Sequence, residues 1–266
     1  MLIDGIDFDA LYKEQLRQAK RTEKSPQHWD RRASRMAENC GRSDSRYLRE
    51  LLAKIDFTGA STLLDVGCGP GTVCLAAAGR LEQVYGLDYS SGMLEVAAQR
   101  AAAQGVSNAV WLHRAWEDSW QGLPVCDIAV ASRSTLVGDL RQALAKLNRQ
   151  ARLRVYTTHT VSGTFVDEDL LQAIGRSVER LPNYIYAVNI LYQMGIHARV
   201  DFIHDDLCQK APTFEEAVQA VSRATGELDT SERQRLAEYC RHRKAKPAAG
   251  KKWALVYWDC EPEAAR

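Results

Sequence analysis

The sequence predicts an α/β fold, a parallel β-sheet covered by helices on both faces. From residue 61 onward, short apolar runs alternate with stretches of helical periodicity, a pattern typical of strand–helix–strand units. The runs are apolar almost without a break, as expected for strands buried on both sides. The chain has 266 residues, of which 45% are hydrophobic, enough for one large core.

The elements follow one another regularly. The predicted strands are STLLDV, QVYGLD, NAVWLH, CDIAVAS and RLRVYTT, and later ARVDFI (198–203) and KWALVYW (252–258). Helices are predicted over 72–80, 92–104 and 136–147, and two more within 166–197. Between the last two strands, capping boxes of Thr213 with Glu216 and of Ser231 with Gln234 predict two helix starts.

Before the first strand, apolar residues at helical spacing predict helices over 8–19 and 47–55. We therefore divide the chain into an N-terminal helical cap segment (1–60), an α/β core (61–160), and helical insertions with the last two strands (161–266). Long additions to a compact domain are often lids, so the insertions are candidates for a substrate cap.

Composition excludes several classes of protein. Lys and Arg number 35 against 34 acidic residues, so net charge gives no general attraction to nucleic acid or membranes. No apolar run approaches the roughly 18 residues of a membrane helix, and no signal-peptide core is visible. The seven cysteines form no C-x-x-C pair, so neither a metal site nor a disulfide framework is expected. We expect a cytoplasmic protein.

The stretch 62-TLLDVGCGPGT-72 ends a strand in alternating glycines and leads into a helix. Such a backbone brings N–H groups close to a ligand. Gly67, Gly69 and Gly71 form G-x-G-x-G, whereas the dinucleotide fingerprint is G-x-G-x-x-G, and Pro70 removes one donor from the turn. The spacing disfavours a dinucleotide.

Two acids define the ligand further. Asp65 stands at the end of the strand, where its carboxylate would repel a pyrophosphate and attract a cation. Among nucleoside cofactors, S-adenosylmethionine carries positive charge, on its ammonium and its sulfonium. Asp88 ends the next strand, where an acid can accept hydrogen bonds from both ribose hydroxyls; NAD sites share this feature.

At these residues the sequence resembles the class I S-adenosylmethionine-dependent methyltransferases. LLDVGCGPGT and GLDYSSGMLEVA are similar to their first two motifs, and WDRRA at 29–33 resembles the ubiquinone/menaquinone-biosynthesis type and other small-molecule members. The resemblance implies a Rossmann-like, seven-stranded, mostly parallel sheet, with N-terminal helices and helical insertions as a cap. The cofactor would lie across the carboxyl ends of strands 1, 2 and 4.

By position, the resemblance assigns the methionine part of the cofactor to Asp65 and the glycine loop, the ribose to Asp88 and the adenine to Met93. The family's third motif has an acid that 113-HRAWED-118 lacks, so Trp116 and Glu117 are predicted to replace it. The predicted cofactor-binding residues are Trp29, Asp65, Gly67, Cys68, Gly69, Gly71, Asp88, Tyr89, Met93, Trp116, Glu117 and Ser132.

The substrate side is less defined. The fourth strand ends in Ala131, Ser132 and Arg133, unlike the Asn/Asp-Pro-Pro-Tyr/Phe stretch of enzymes that methylate exocyclic base amines. The candidate catalytic residues are Arg133, as an anion-binding group, His159, as a general base, and Tyr192, in the phenol-rich helix NYIYAVNILYQMGI. Each also has a purely structural interpretation. Arg133 would be a surface arginine, His159 a histidine hydrogen-bonded within the fold, and Tyr192 part of the apolar core.

We therefore predict an enzyme that transfers a methyl group from S-adenosylmethionine to a small-molecule acceptor by in-line displacement. Two alternatives stay open. One is a non-catalytic S-adenosylmethionine-binding protein. The other is an RNA or protein methyltransferase, which would need a basic groove from Arg133 to the segment 241–252. No nucleic-acid partner is expected, and a homodimer is possible.

Overall fold

The structure, a computed structural model, describes residues 1–20, 24–34, 36, 45–205, 213–242 and 251–260. Most of the basic segment at 241–252 lies outside these residues, because 243–250 are not among them. Within the described residues, no helix has the length and apolarity needed to span a bilayer.

The strands are β1 Thr62–Val66, β2 Gln83–Asp88, β3 Ala109–His113, β4 Cys126–Ala131, β5 Ala151–Thr160, β6 Arg199–Asp205 and β7 Lys251–Asp259. They form one seven-stranded sheet in the order β3-β2-β1-β4-β5-β7-β6. β7 pairs antiparallel with β5 and β6, and the other pairs are parallel. The predicted seven-stranded, mostly parallel sheet is confirmed.

The α-helices of the described residues are α1 Phe8–Gln18, α2 Pro26–Asp30, α3 Arg46–Lys54, α4 Thr72–Ala77, α5 Ser91–Ala103, α6 Leu140–Gln150, α7 Glu168–Ile174, α8 Tyr184–Gln193, α9 Phe214–Thr225 and α10 Thr230–His242. Short 3-10 helices lie at Leu2–Gly5 and Ala78–Arg80.

Two apolar clusters hold these helices to the two faces of the sheet. On one face, α1, α6 and α8 pack against β1, β4, β5 and β7, and the Tyr12 hydroxyl donates to the Val137 carbonyl at 2.7 Å. On the other face, α3 and α4 pack on the sheet, with Leu51 of α3 fully buried. The N-terminal helices predicted as a cap therefore also complete both helical layers.

The insertions have a core of their own. Apolar side chains of α7, α9 and α10 form a third cluster, separate from the two that cover the sheet. Arg176 closes this cluster with a bidentate pair to Glu232, at 2.5 and 2.6 Å. Two nitrogens bound to two carboxylate oxygens fix the guanidinium plane. Arg176 also donates to the carbonyl and hydroxyl of Thr225 at 3.0 Å, so it links all three helices.

Two predicted helix starts need correction. The helix expected over 136–147 begins only at Leu140, because the Asp139 side chain caps it by accepting from the Gln142 N–H at 2.9 Å. The capping box predicted at Ser231 and Gln234 is instead formed by Asp229 and Glu232, whose carboxylates each accept from the other's N–H at 2.8 Å.

The remaining capping box is confirmed. The Thr213 hydroxyl accepts from the Glu216 N–H at 3.3 Å, and the Glu216 carboxylate accepts from the Thr213 N–H at 2.8 Å. Thr213 thus caps α9 as its sequence pattern predicts.

The strand order creates a crevice. β1 lies between β2 and β4, so the connections that leave β1 and β4 run to opposite sides of the sheet. A gap opens at the carboxyl ends of the strands where this divergence occurs, and open α/β sheets bind ligands there.

Candidate functional site

A cavity of about 440 Å³ occupies this crevice. It is bounded by the glycine loop after β1, the ends of β2 and β4, the loop after β3, and parts of the N-terminal segment. All the predicted cofactor-binding residues except Gly71 line it, and so does Arg133. The fold therefore brings together residues that are more than a hundred positions apart in the chain.

Gly71 has a packing role instead. It is the N-cap residue of α4 with φ of 74°. A Cβ atom there would lie 2.6 Å from Cη2 of Trp111 and 3.1 Å from Cβ of Ala97. This glycine lets α4 begin close to the neighbouring helix and strand, and the prediction that it faces the cofactor is not supported by its position.

Asp65 is the most unusual group in the cavity. Its side chain is 1% exposed, and its Oδ1 has no hydrogen-bond partner among the described residues. Among the described residues, its Oδ2 accepts only a long contact from the Cys74 thiol, at 3.9 Å. Burial, and next the nearby charge of Asp88, raise the pKa of Asp65 to about 8. A buried carboxylate left this way favours a cationic hydrogen-bond donor, which would satisfy the free oxygen and lower the pKa.

Asp88 differs from Asp65 because its oxygens are already bound. They accept from the Gly69 N–H at 2.8 Å and from the Ser90 N–H at 2.9 Å. Burial nonetheless raises the pKa of this carboxyl group. The side chain ties the glycine loop to the end of β2, and each oxygen retains a lone pair that could accept from a ligand hydroxyl.

The WDRRA segment is docked beside these loops by Asp30. One oxygen of Asp30 accepts from the Ser90 hydroxyl at 2.6 Å and from the Gly92 N–H at 2.9 Å. Gly92 has no side chain to obstruct this, since a Cβ atom there would lie 3.0 Å from Cα of Asp30. The contact holds the neighbouring Trp29 at the wall of the cavity.

We expect Asp30→Ala to weaken S-adenosylmethionine binding roughly tenfold, the equivalent of one or two hydrogen bonds. The variant frees the segment that carries Trp29 but leaves the sheet intact. Calorimetric titration would measure the loss. Asp9→Ala, which removes an ion pair between α1 and Arg141 away from the cavity, is the matched control, and equal affinities in the two variants would contradict the role of Asp30.

The loop after β3 lacks the acid that the third motif of the family has at this place. Asp118 turns back into its own loop and accepts from the Ala115 N–H at 2.8 Å. Trp116 lies 5.3 Å from Trp120, centroid to centroid, and its carbonyl accepts from the Lys146 ammonium at 2.5 Å. These contacts place Trp116 and Glu117 at the cavity wall.

Arg133 lines the cavity in an unusual backbone conformation, with φ of 58°. Its N–H donates to the Thr158 hydroxyl at 2.8 Å. Its guanidinium lies 4.4 Å above the Tyr47 ring and 3.4 Å from the Asp205 carboxylate. A positive φ strains the backbone of a residue other than glycine, and residues strained in this way are found preferentially at functional sites.

Tyr47 was missed by sequence reasoning, although it lines the cavity beside Arg133. Its hydroxyl is hydrogen-bonded to Oγ of Ser132 at 2.8 Å and to Oγ1 of Thr158 at 2.9 Å. In the sequence it belongs to the apolar stripe of a helix, which gives no sign that its hydroxyl reaches the ends of two strands.

The other predicted catalytic residues lie elsewhere. His159 is 6% exposed, with Nδ1 3.1 Å from Oγ1 of Thr135 and Nε2 2.9 Å from Oγ1 of Thr157. Burial lowers its pKa to about 3, and it lines a second, smaller cavity. Tyr192 is on α8, which packs against the sheet, and it lines neither cavity. Both positions argue against a catalytic role in the main cavity.

Comparison with known proteins agrees with this geometry. The family model of a methyltransferase domain matches residues 63–152. An uncharacterized protein of Haemophilus influenzae is 37% identical over 266 residues, which cover 98% of this chain and 99% of that protein. Demethylmenaquinone methyltransferase of Lactiplantibacillus plantarum is 36% identical over 69 residues, 25% of this chain and 29% of that enzyme.

The fold is also that of a solved Haemonchus contortus phosphoethanolamine N-methyltransferase in complex with phosphomonomethylethanolamine and S-adenosylhomocysteine. The two chains are 16% identical with a TM-score of 0.56, over 97% of this chain and 61% of that one. Sheet order, the cavity at its switch point, the domain match and the relatives lead to one conclusion. The chain belongs to the class I S-adenosylmethionine-dependent methyltransferases.

Proposed function

We propose that the protein methylates a small molecule held in the main cavity beside the cofactor. The observation that carries this proposal is the buried, unpaired carboxylate oxygen of Asp65 in a cavity of about 440 Å³. That volume is typical of sites for small ligands. A nucleic-acid substrate would in addition call for a basic groove that leads to the cavity.

The residues divide the cavity into two parts. At one end, Asp65 would bind the ammonium group of the cofactor and Asp88 the ribose. Trp29, Met93 and Trp116 would supply apolar surface to the adenine. At the other end, Tyr47, Leu48, Leu136 and Val137 form an apolar wall with the Arg133 guanidinium beside it. We assign this end to the acceptor.

The N-terminal segment closes the acceptor end. Met36, Ser45, Tyr47 and Leu48 all line the cavity, which supports the idea that residues 1–60 act as a cap. The segment 161–266 contributes to the second cavity, through Phe165, Pro182 and Asn183 and through Trp253 of β7. Demethylmenaquinone methyltransferase, a partial relative, acts by its name on a small molecule, which agrees with the proposal.

Bound S-adenosylmethionine supplies a methyl group already activated on a sulfonium. The work left to the chain is therefore to align the acceptor with that methyl group and to exclude water. Tyr47 and Arg133 are held by hydrogen bonds and an ion pair, so they can position an acceptor with little loss of conformational freedom.

The test is transfer of labelled methyl groups in a cell extract separated into small molecules, RNA and protein. We expect label in the small-molecule fraction, and micromolar calorimetric binding of S-adenosylmethionine and S-adenosylhomocysteine but not of NAD⁺. Asp65→Asn is the inactive control. Label confined to RNA or protein would refute the small-molecule acceptor.

A further inference from the structure

Two buried polar atoms outside the main cavity have no hydrogen-bond partner among the described residues. They are Oγ1 of Thr160 and Nε1 of Trp253. The two residues face each other across the antiparallel pair of β5 and β7, so their side chains lie on the same face of the sheet. Buried polar groups are nearly always paired, with protein or with ordered water, so a ligand group that meets both atoms could take the place of water here.

Both atoms belong to residues that line the second cavity, at the carboxyl end of β5. Its volume is about 30 Å³, room for a group of about two water-sized atoms. Arg133 and Leu136 line this cavity and the main cavity alike. The two cavities are therefore neighbours that share these two residues, and the smaller one is called the side pocket.

The polar groups of this side pocket are mainly donors. An indole N–H can only donate, and so can a guanidinium. The Asn183 side-chain oxygen already accepts from the Ile185 N–H at 3.0 Å, and the ring nitrogens of His159 are occupied by Thr135 and Thr157. Arg133 meets Asp205 through one nitrogen at 3.4 Å, so its other N–H groups can bind a second anion.

A carboxylate matches these groups. Its two oxygens have lone pairs for several donors, it pairs well with a guanidinium, and it is planar and small. A phosphate is bulkier and needs more room than the side pocket has.

We propose that the side pocket binds a carboxylate of the acceptor, through Trp253 Nε1–H, the Thr160 hydroxyl and Arg133. The reactive part of the same molecule lies in the main cavity. This inference rests on the proposed function and narrows its acceptor to small carboxylic acids.

The experiment compares Thr160→Val with Thr62→Val. Both replace a threonine of the sheet with an isosteric side chain, but the Thr62 hydroxyl donates to the Asp127 carboxylate at 2.9 Å, and Thr62 lines neither cavity. Thr160→Ser, which keeps the hydroxyl, is the rescue variant. Benzoate is the probe, benzyl alcohol its neutral counterpart and phenyl phosphate the phosphate analogue, each titrated by ligand-observed NMR with S-adenosylhomocysteine present.

We expect the native protein to bind benzoate at least tenfold more tightly than benzyl alcohol or phenyl phosphate. Thr160→Val should lose about tenfold in benzoate affinity with no fall in Tm, because the hydroxyl it removes is unpaired. Thr62→Val should show the reverse, a lower Tm with unchanged affinity, and Thr160→Ser should bind as the native protein does. A structural role of Thr160 would not produce this crossed pattern.

The proposal fails if benzoate binds no better than benzyl alcohol, if phenyl phosphate binds more tightly than benzoate, or if Thr160→Val leaves benzoate affinity unchanged. Label transfer separates this failure from that of the proposed function. Methylated small molecules without a carboxylate would refute the side pocket and leave the methyltransferase proposal intact. Label confined to macromolecules would refute the proposed function, whatever benzoate does.

Discussion

Asp65→Asn is expected to weaken S-adenosylmethionine binding severely and, at the same time, to stabilise the protein in the absence of ligand. Loss of the only buried carboxylate oxygen of the main cavity that lacks a partner among the described residues should weaken binding by roughly a hundredfold or more, about 3 kcal/mol. The gain in stability follows from the cost of ionising a group that is 1% exposed.

The sign follows from the pKa. The pKa of Asp65 is raised from 3.8 to about 8 in the folded protein, so the folded state holds a proton that the unfolded chain releases. The stability this contributes is complete below about pH 4 and is lost as pH rises towards 8. At neutral pH the ionisable group thus costs the fold roughly 2–4 kcal/mol relative to a neutral one, and asparagine avoids that cost.

Chemical unfolding between pH 5 and 8 would measure the stability of the native protein and of the variant. Calorimetric titration would measure their affinity for S-adenosylmethionine. The native protein should lose stability across this range more steeply than Asp65→Asn. Asp127→Asn is the control. Burial opposes ionisation of Asp127, but hydrogen bonds from Ser61, Arg152 and Thr62 outweigh it and lower the pKa. That variant should be destabilised and should still bind the cofactor. A less stable Asp65→Asn would contradict the argument.

Gly67→Ala is expected to damage the fold and the site together. The φ of Gly67 is 68°, and a Cβ atom would lie 2.4 Å from Cβ and 2.9 Å from Oγ of Ser134. Left-handed backbone costs about 1–2 kcal/mol for an alanine. Ser134 must also shift, which breaks the bond from its hydroxyl to the Val66 carbonyl at 2.6 Å. We expect Tm to fall by roughly 5–10 °C, with cofactor binding lost.

Gly69→Ala is the matched variant, since its φ is 54° but no atom lies within 4 Å of the added Cβ. This substitution should lower the stability by only about 1 kcal/mol, which is a small change in Tm. It should still weaken cofactor binding, because the added methyl group would occupy space in the cavity. Thermal unfolding and calorimetry on both variants check this. Equal losses of Tm would show that close packing against Ser134 is not what Gly67 provides.

The fold and the cofactor end of the cavity could be predicted because their signals are local. Asp65, the glycine loop and Asp88 lie within 24 residues of each other in the sequence, and each is attached to a strand end that apolar patterning marks. The two corrected helix starts lie where several acidic or hydroxyl side chains near in sequence could each serve as the N-cap. Which of them reaches the free N–H groups depends on the path by which the preceding loop enters the helix, and the sequence pattern does not show that path.

The acceptor end could not be predicted in the same way. The place of His159 at the end of a strand predicts a general base. Its ring nitrogens instead meet the hydroxyl oxygens of Thr135 and Thr157, and strand periodicity alone does not reveal these contacts. Tyr47 meets Thr158 across 111 positions, and Thr160 meets Trp253 only through the register of β5 and β7. The second of these pairings exists only because the last strand is inserted antiparallel between β5 and β6.

The separate core of α7, α9 and α10 has an evolutionary consequence. Because its apolar side chains pack on one another and not in the clusters that cover the sheet, substitutions there need not be compensated around the methyl donor. One lineage can therefore drift in the insertions while its donor site stays fixed.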